Sequence, residues 1–462
     1  MTGTYRFDRR LGRSPWSAPL LGLLTASLVG CGGLLDVSNP NNIKGEDVEL
    51  PAAGTALANG ALARVAFGVN GSALPYHTAT DELEWSGSRD GWRELDQGKL
   101  SNAFNEFIDG AVNSGFPRMA EGRWLADEAI RVLEKQAQAS PPTIVNIVDL
   151  ARAYLYAAIA YVHIANVFDD FALSDRAEPA PPVGRPGMGS FYDTAIDYLT
   201  KGLAIASGRD ASLAHTIRAM RARANFDRAI WELISPPPKG GAGLVNAASS
   251  YVTNAVADAQ AALGTAPSPD WRFQFLWSSA TGSNQHGAEI VSRQEMRLGP
   301  TYVEPSPTSP TWLNNVVLMD PIDNEPSPIV DAIQKEFRAG GFFPPYTVVS
   351  TRELHLILAE AALAAGDMPG FEDAINDLRD LDGLTDWNRS APQAPALDLL
   401  IHSRQSNLFL QTRRLSDHYR FGVPSREWLS GSQALTRPGT LLPISATECL
   451  ANPHIGAANC ST

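Results

Sequence analysis

The chain has 462 residues, 44% hydrophobic and 19% charged, with a net charge of −13 from 37 Lys and Arg against 50 Asp and Glu. That apolar content is enough to fold and excludes a disordered polyelectrolyte. The acidic balance excludes a nucleic-acid partner, since gripping phosphates needs a basic surface.

The N-terminus departs from this average. Arg6, Arg9, Arg10 and Arg13 precede an apolar run from Ala18 to Val29, which ends at Gly30-Cys31. A basic start, a short apolar stretch and a small residue before the cut define an export signal over residues 1–30. The run is shorter than the roughly 20 residues a membrane-spanning helix needs. Leu28-Val29-Gly30-Cys31 resembles a bacterial lipobox, which implies cleavage before Cys31 and its acylation. Gly32, not Asp, follows the cysteine, so the usual inner-membrane retention signal is absent and the outer membrane is the expected location, with the body at the surface. Cys449 and Cys460 are then the remaining cysteines, and an even pair in an oxidising compartment is expected to form a disulfide.

A tether over residues 32–41 leads into the body. Helical periodicity then dominates. Leu125, Ala129, Val132 and Leu133 mark one helix, and Ile147, Leu150, Tyr154, Ala158, Tyr161 and Phe168 a second over about 145–168. Tyr192, Ala195, Ile196, Leu199 and Leu203 mark a third, about 212–234 a fourth, and about 246–263 a fifth. The fourth carries Arg218, Arg221, Arg223 and Arg228, which reads as a solvated or salt-bridged face rather than an anion site. Residues 264–349 break this pattern with Pro267, Pro305, Pro321, Pro328 and Pro344 and carry Trp271, Phe273, Phe275, Trp277, Tyr302 and Trp312. So many aromatics argue for an ordered, loop-rich elaboration. Further on, Ser350 and Glu353 form a capping box, Leu354, Leu358, Ala361 and Ala365 an apolar stripe, and Gly366 and Pro369 a helix stop and restart. The two short helices at 351–378 have the spacing of a tetratricopeptide unit. A last long helix is expected over about 396–420.

The fold class is therefore mainly α: tetratricopeptide-like helix pairs over about 118–263 and 350–422, in one domain from residue 31 to 462, with an irregular region over about 264–349. Catalytic signatures are missing. No His-Glu-x-x-His, Gly-x-Ser-x-Gly or Walker loop occurs, and Gly240-Gly241-Ala242-Gly243 follows a Pro run and reads as a flexible connector. Asp81 and Glu82 are adjacent in sequence, which seldom gives the opposed carboxylate pair of a glycosidase. Asp320, Asp323, Asn324 and Glu325 lack the spacing of a calcium loop. No enzyme, metal or cofactor is expected. Flat aromatics beside polar side chains suit a sugar, and Trp85, Arg89 and Trp92, with Asp81 and Glu82 beside them, form one candidate cluster; Tyr302 and Trp312 form another. A binding platform arises if the two segments meet.

Several segments together resemble the SusD/RagB family of nutrient-binding outer-membrane lipoproteins: Leu35-Asp36-Val37-Ser38-Asn39-Pro40-Asn41 after the lipobox, Thr80-Asp81-Glu82-Leu83-Glu84-Trp85, the Arg-rich stretch from Arg404 to Phe421-Gly422 with Arg414, Asp417 and Arg420, and Leu442-Pro443-Ile444-Ser445. Asn407 and Gln411 stand where acidic residues are usual in that family. The resemblance implies a helical scaffold with an irregular binding face, a glycan or peptide ligand, and a SusC-type TonB-dependent transporter as partner. The competing expectation is a lipid-anchored helical-repeat scaffold or peptide-binding adaptor of the envelope, because concave helix-pair surfaces bind peptides.

Overall fold

A computed structural model describes residues 48–101, 111–175, 178–305 and 315–456. The export signal, Cys31, Trp312 and Cys460 lie outside the described residues, and the chain from Pro51 onward forms one compact unit.

Helix packs on helix in chain order. Helix α1 (Gly54–Thr78) is followed by β1 (Leu83–Trp85), α2 (Asp90–Asp96) and α3 (Ala111–Gln138). Helices α4 (Ile147–Val167), α5 (Gly189–Ala206), α6 (Ala211–Ile234) and α7 (Ser250–Leu263) come next, each packed on its predecessor. Asn146 caps α4 by accepting from Val148 N–H, and Asp210 caps α6 by accepting from Leu213 N–H, so both starts are written locally. Helix α4 is long and apolar enough to cross a membrane, but it is the central helix of the core, buried along most of its length.

Helix α1 was not expected. Its Gly residues and Pro75 are poor helix formers in water, yet the glycines serve packing: a Cβ on Gly115 of α3 would lie 2.7 Å from Gly71 O of α1. The two backbones approach more closely there than larger side chains permit. The burial is that of a core helix, with Val65, Val69, Leu74 and Tyr76 inside.

The region 264–349 is more regular than the proline count suggests. It holds β2 (Arg272–Phe275), β3 (Met296–Leu298), helix α8 (Pro328–Gly340) and β4 (Tyr346–Ser350). Pro328 occupies the first turn of α8, where its missing N–H costs nothing. Strand β2 pairs antiparallel with β4, and β1 with β3. Helices α9 (Thr351–Ala365) and α10 (Met368–Asp380) form the expected pair: Ser350 accepts from Glu353 N–H, and Gly366 closes α9 in the left-handed conformation at φ 73°.

The expected helix over 396–420 is broken into α11 (Ala396–Asn407) and α12 (Arg414–Phe421). In the strap between them Leu410 and Thr412 have φ of 57° and 60°. Leu410 N–H donates to Glu82 Oε1 at 2.7 Å and Thr412 N–H to His77 Nε2 at 2.9 Å. Amides committed to side chains from the N-terminal part of the unit cannot continue a helical ladder.

The strap and its flanking helices supply arginines that tie distant segments together inside the core. Arg414 makes a two-pronged contact with Asp81, both bonds 2.7 Å. Arg413 does the same with Glu353, at 2.8 and 3.0 Å. Arg404 and Arg420 share Asp417, and Arg420 also pairs with Glu360. Asn407, at a position where the resemblance leads one to expect acid, accepts from Arg352, which also holds Asp270 and Asp382. Gly241 and Gly243 donate to the carbonyls of Tyr419 and Arg420, so the Gly-rich connector is pinned rather than free. Arg221, Arg223 and Arg228 are salt-bridged, as expected, and Arg223 is also buried, pairing with Asp227 and donating to Val348 O.

Buried ionisable groups fix how stability responds to pH. Burial lowers His163 and His286 to about 3 and His402 to about 4, and burial with the neighbouring His286 lowers His77. The unfolded chain binds protons on these rings below about pH 6.5 while the folded chain does not, so stability rises with pH up to that value. Burial pushes Glu82 and Asp96 up to about 8. Above the ordinary carboxylate range the folded chain keeps two protons that the unfolded chain has released, so these groups stabilise less as pH climbs towards 8. Melting curves between pH 4 and 9 are expected to peak near neutrality and fall on both sides; a midpoint independent of pH contradicts this.

Candidate functional site

The strand that carries Trp85 lies against the segment that leads to Tyr302, while Trp312 lies outside the described residues. Strand β1 lies against β3 with Leu83 opposite Leu298, Glu84 opposite Arg297 and Trp85 opposite Met296. The contact continues into the next turn, where Gly299 N–H donates to Glu82 O at 2.8 Å. A Cβ on Gly299 would lie 1.9 Å from Asp81 O, so glycine alone permits this approach. Gly299→Ala is expected to destabilise by about 1–3 kcal/mol through forced backbone movement, read as a lower denaturation midpoint; an unchanged midpoint contradicts the register.

Around this hairpin-like pair the loop 86–89 is clamped onto one carboxylate. Ser88 N–H and Arg89 N–H donate to Glu295 Oε2 at 2.8 and 2.9 Å, and the Ser88 hydroxyl donates to Oε1 at 2.9 Å. Burial raises the Glu295 carboxyl, but these donors more than offset it and leave it below its ordinary value. The clamp positions helix α2 beside Trp85. The Arg93 guanidinium sits 5.5 Å from the centre of the Trp85 ring, and Arg89 sits 5.9 Å from that of Trp92. Glu84 and Arg297 pair at 2.7 Å on the same strands.

Beneath this surface several polar atoms lack hydrogen-bond partners. Trp85 Nε1, Trp92 Nε1 and Asp96 Oδ1 are unpaired among the described residues, although Asp96 Oδ2 accepts from Trp85 N–H at 3.2 Å. Buried polar atoms are nearly always satisfied, so these two indole donors and the carboxyl oxygen are exceptions to the usual pattern.

The candidates divide by burial. Trp85 is half-buried and Arg89 exposed, so both are at the surface. Asp81, Glu82, Trp92 and Tyr302 are not. The Asp81 carboxylate is spent on Arg414, with His418 Nε2 a further 3.1 Å away; burial pushes it up, but His418 and Arg414 hold it well below the usual carboxylate range. Glu82 accepts from Leu410 N–H and the Thr80 hydroxyl. Both carboxylates are buried and engaged by partners inside the protein. Trp92 lies on the buried face of α2, in the core, while its cation partner Arg89 is exposed. Tyr302 is fully buried and stacked on Phe409, with ring centres 4.2 Å apart. The turn after β3 carries it inward, which its place among prolines did not reveal. Trp312 lies outside the described residues. Sequence reasoning missed Arg93, Ser88 and Glu295; the four-residue step from Arg89 to Arg93, across a helix that begins at Asp90, was the available signal.

Other groups weighed from the sequence are occupied. Arg379 binds Asp320 at 2.9 Å and Asp323 at 3.1 Å, so the acidic turn 320–325 is engaged by an arginine. Among the described residues no cluster of three or more His, Cys, Asp or Glu has the arrangement of a metal site. Cys449 packs half-buried against the main core.

No family model and no curated protein matches the sequence. Solved structures do match the fold. A SusD superfamily protein from Bacteroides fragilis superposes with a TM-score of 0.57 at 13% identity, covering 88% of this chain and 99% of its own. A SusD superfamily protein from Bacteroides vulgatus gives 0.57 at 11% identity, covering 87% and 97%. A SusD-like carbohydrate binding protein from Bacteroides vulgatus gives 0.53 at 12% identity, covering 80% and 83%.

Proposed function

We propose that this chain, whose fold is that of the SusD superfamily, is a non-catalytic lipoprotein that captures an oligomeric nutrient and passes it to a TonB-dependent outer-membrane transporter. The observation that carries the reading is the Trp85 surface: an indole at the protein surface, a guanidinium over its ring, and open polar atoms behind it. An indole face takes the C–H side of a sugar ring while fixed donors and acceptors take its hydroxyls, so a glycan is the favoured ligand. The buried state of Asp81 and Glu82 speaks against hydrolysis of that ligand.

The anchoring half of the proposal rests on the basic and apolar N-terminus that ends at Cys31. A single acyl chain holds a protein only weakly, so a stable attachment needs more than one. The pairing of Cys449 with Cys460 is proposed with it, because such a chain is exported into an oxidising compartment. The test is purification from native outer membranes. Intact-mass analysis is expected to give a chain that begins at acylated Cys31, co-purifying with a large barrel receptor. A cytosolic, unacylated product overturns the reading, and envelope partners without a barrel overturn it in favour of an adaptor.

A further inference from the structure

We propose that a cleft between α8, the β2–β4 pair and the strap Leu408–Arg413 is a second binding site, which takes the edge of a single neutral, polyhydroxylated ring. It rests on the nutrient-capture reading for the class of ligand but not for the site, which is separate from the Trp85 surface. The cleft spans about 520 Å³ including its open mouth, with about 30 Å³ in its depth. That depth admits a hydroxyl or hydroxymethyl group and not a whole ring, so the body of the ligand would lie in the mouth.

One wall is apolar, made by Ile329, Ile333 and Phe337 of α8 with Phe409 of the strap. The facing wall is polar. Gln411 is 5% exposed, and its Nε2 donates to Asn407 O at 2.9 Å while its buried Oε1 has no partner among the described residues. An acceptor left open in a cleft calls for a donor from outside, and a hydroxyl supplies one. The charges nearby are already compensated: Arg272 by Glu336 at 2.7 Å, and Arg352 by Asp270 and Asp382. An ionic ligand therefore finds no free countercharge, and a neutral molecule with one C–H face and a hydroxyl edge fits both walls.

The strap is held under strain. Leu410 and the β-branched Thr412 both have positive φ, a conformation that persists only where the surroundings impose it and that gathers at functional sites. The constraint is visible. Since Thr412 N–H donates to His77 Nε2, the His77 proton is on Nδ1 and is donated to His286 Nε2 at 2.7 Å. His286 then presents Nδ1–H to Asn284 Oδ1 at 3.2 Å. His286 and Asn284 themselves line the cleft, so one chain of hydrogen bonds fixes the strap and the wall opposite together. A site organised in advance in this way binds without an ordering cost.

The test uses the full mature chain, saturation-transfer NMR and four probes: the methyl glycosides of glucose, galactose and mannose, and N-acetylglucosamine, with acetate and glycine as charged controls. At least one neutral sugar is expected to bind, with transfer from the Ile333 and Ile329 methyl groups in the unmodified protein. Its affinity is expected to fall at least tenfold in both Gln411→Leu and Ile333→Trp and to survive in Trp85→Ala. Preferential binding of acetate or glycine overturns the proposal, as does the absence of any sugar signal from α8. A sugar signal lost only in Trp85→Ala overturns it while leaving the capture reading intact.

Discussion

Replacing Arg420 with alanine is expected to destabilise the folded unit by about 3–5 kcal/mol, the usual effect of removing one partner from a buried ion pair. Arg420 is fully buried and links two carboxylates, Asp417 at 2.8 Å and Glu360 at 2.9 Å. Arg404 remains near both, but its single contacts of 3.0 Å to Asp417 and 3.4 Å to Glu360 leave carboxylate oxygens unpaired. Burial alone would raise Asp417; Arg404 and Arg420 together hold it below its ordinary value, so part of that support is lost with the substitution. Arg420→Lys should recover only part of the loss, because a point charge cannot reproduce the fork that meets both acids. Arg426→Ala is the control. Its pair with Glu427 is exposed and worth little. Equal stability of the Arg420 and Arg426 variants in urea titration contradicts the account of the core.

The second large effect concerns binding. Trp85→Ala is expected to weaken oligomer binding at least tenfold, about 1.4 kcal/mol, with a small change in the denaturation midpoint, because Trp85 is only half-buried. Arg93→Ala should weaken binding less, since its guanidinium orients and polarises the ring without forming the contact face. Trp92→Ala serves as the structural counterpart: a buried indole whose loss lowers stability by several kcal/mol, about 3–5 for a core Trp. A Trp85 variant that unfolds as Trp92→Ala does would place Trp85 in the core and remove it from the site.

These particular residues show what the sequence carried. Helices α3 to α7 and the pair α9 and α10 were legible because apolar side chains recur at helical spacing and, in the pair, the ends are marked by Ser350, Glu353 and Gly366, all local signals. Helix α1 was hidden because Gly and Pro75 break helices in water but permit close packing in a core. Helix α8 was hidden because Pro328 was read as an interruption when it is a start. The break at Leu410 could not be foreseen at all: its cause is Glu82, more than three hundred residues earlier. The same limit governed the site. Residue types suited to a sugar were found at Trp85 and Arg89, but burial decides which of them reach solvent, and burial is set by tertiary contacts. Asp81, Glu82 and Tyr302 carry the right chemistry and spend it on Arg414, Leu410 and Phe409.

The most direct test is a titration of the mature protein with oligosaccharide and peptide panels, read by tryptophan fluorescence and repeated with Trp85→Ala. The account predicts saturable binding of at least one oligosaccharide, with a spectral change that disappears in the variant. Binding that the variant retains in full, or a response to peptides alone, contradicts it.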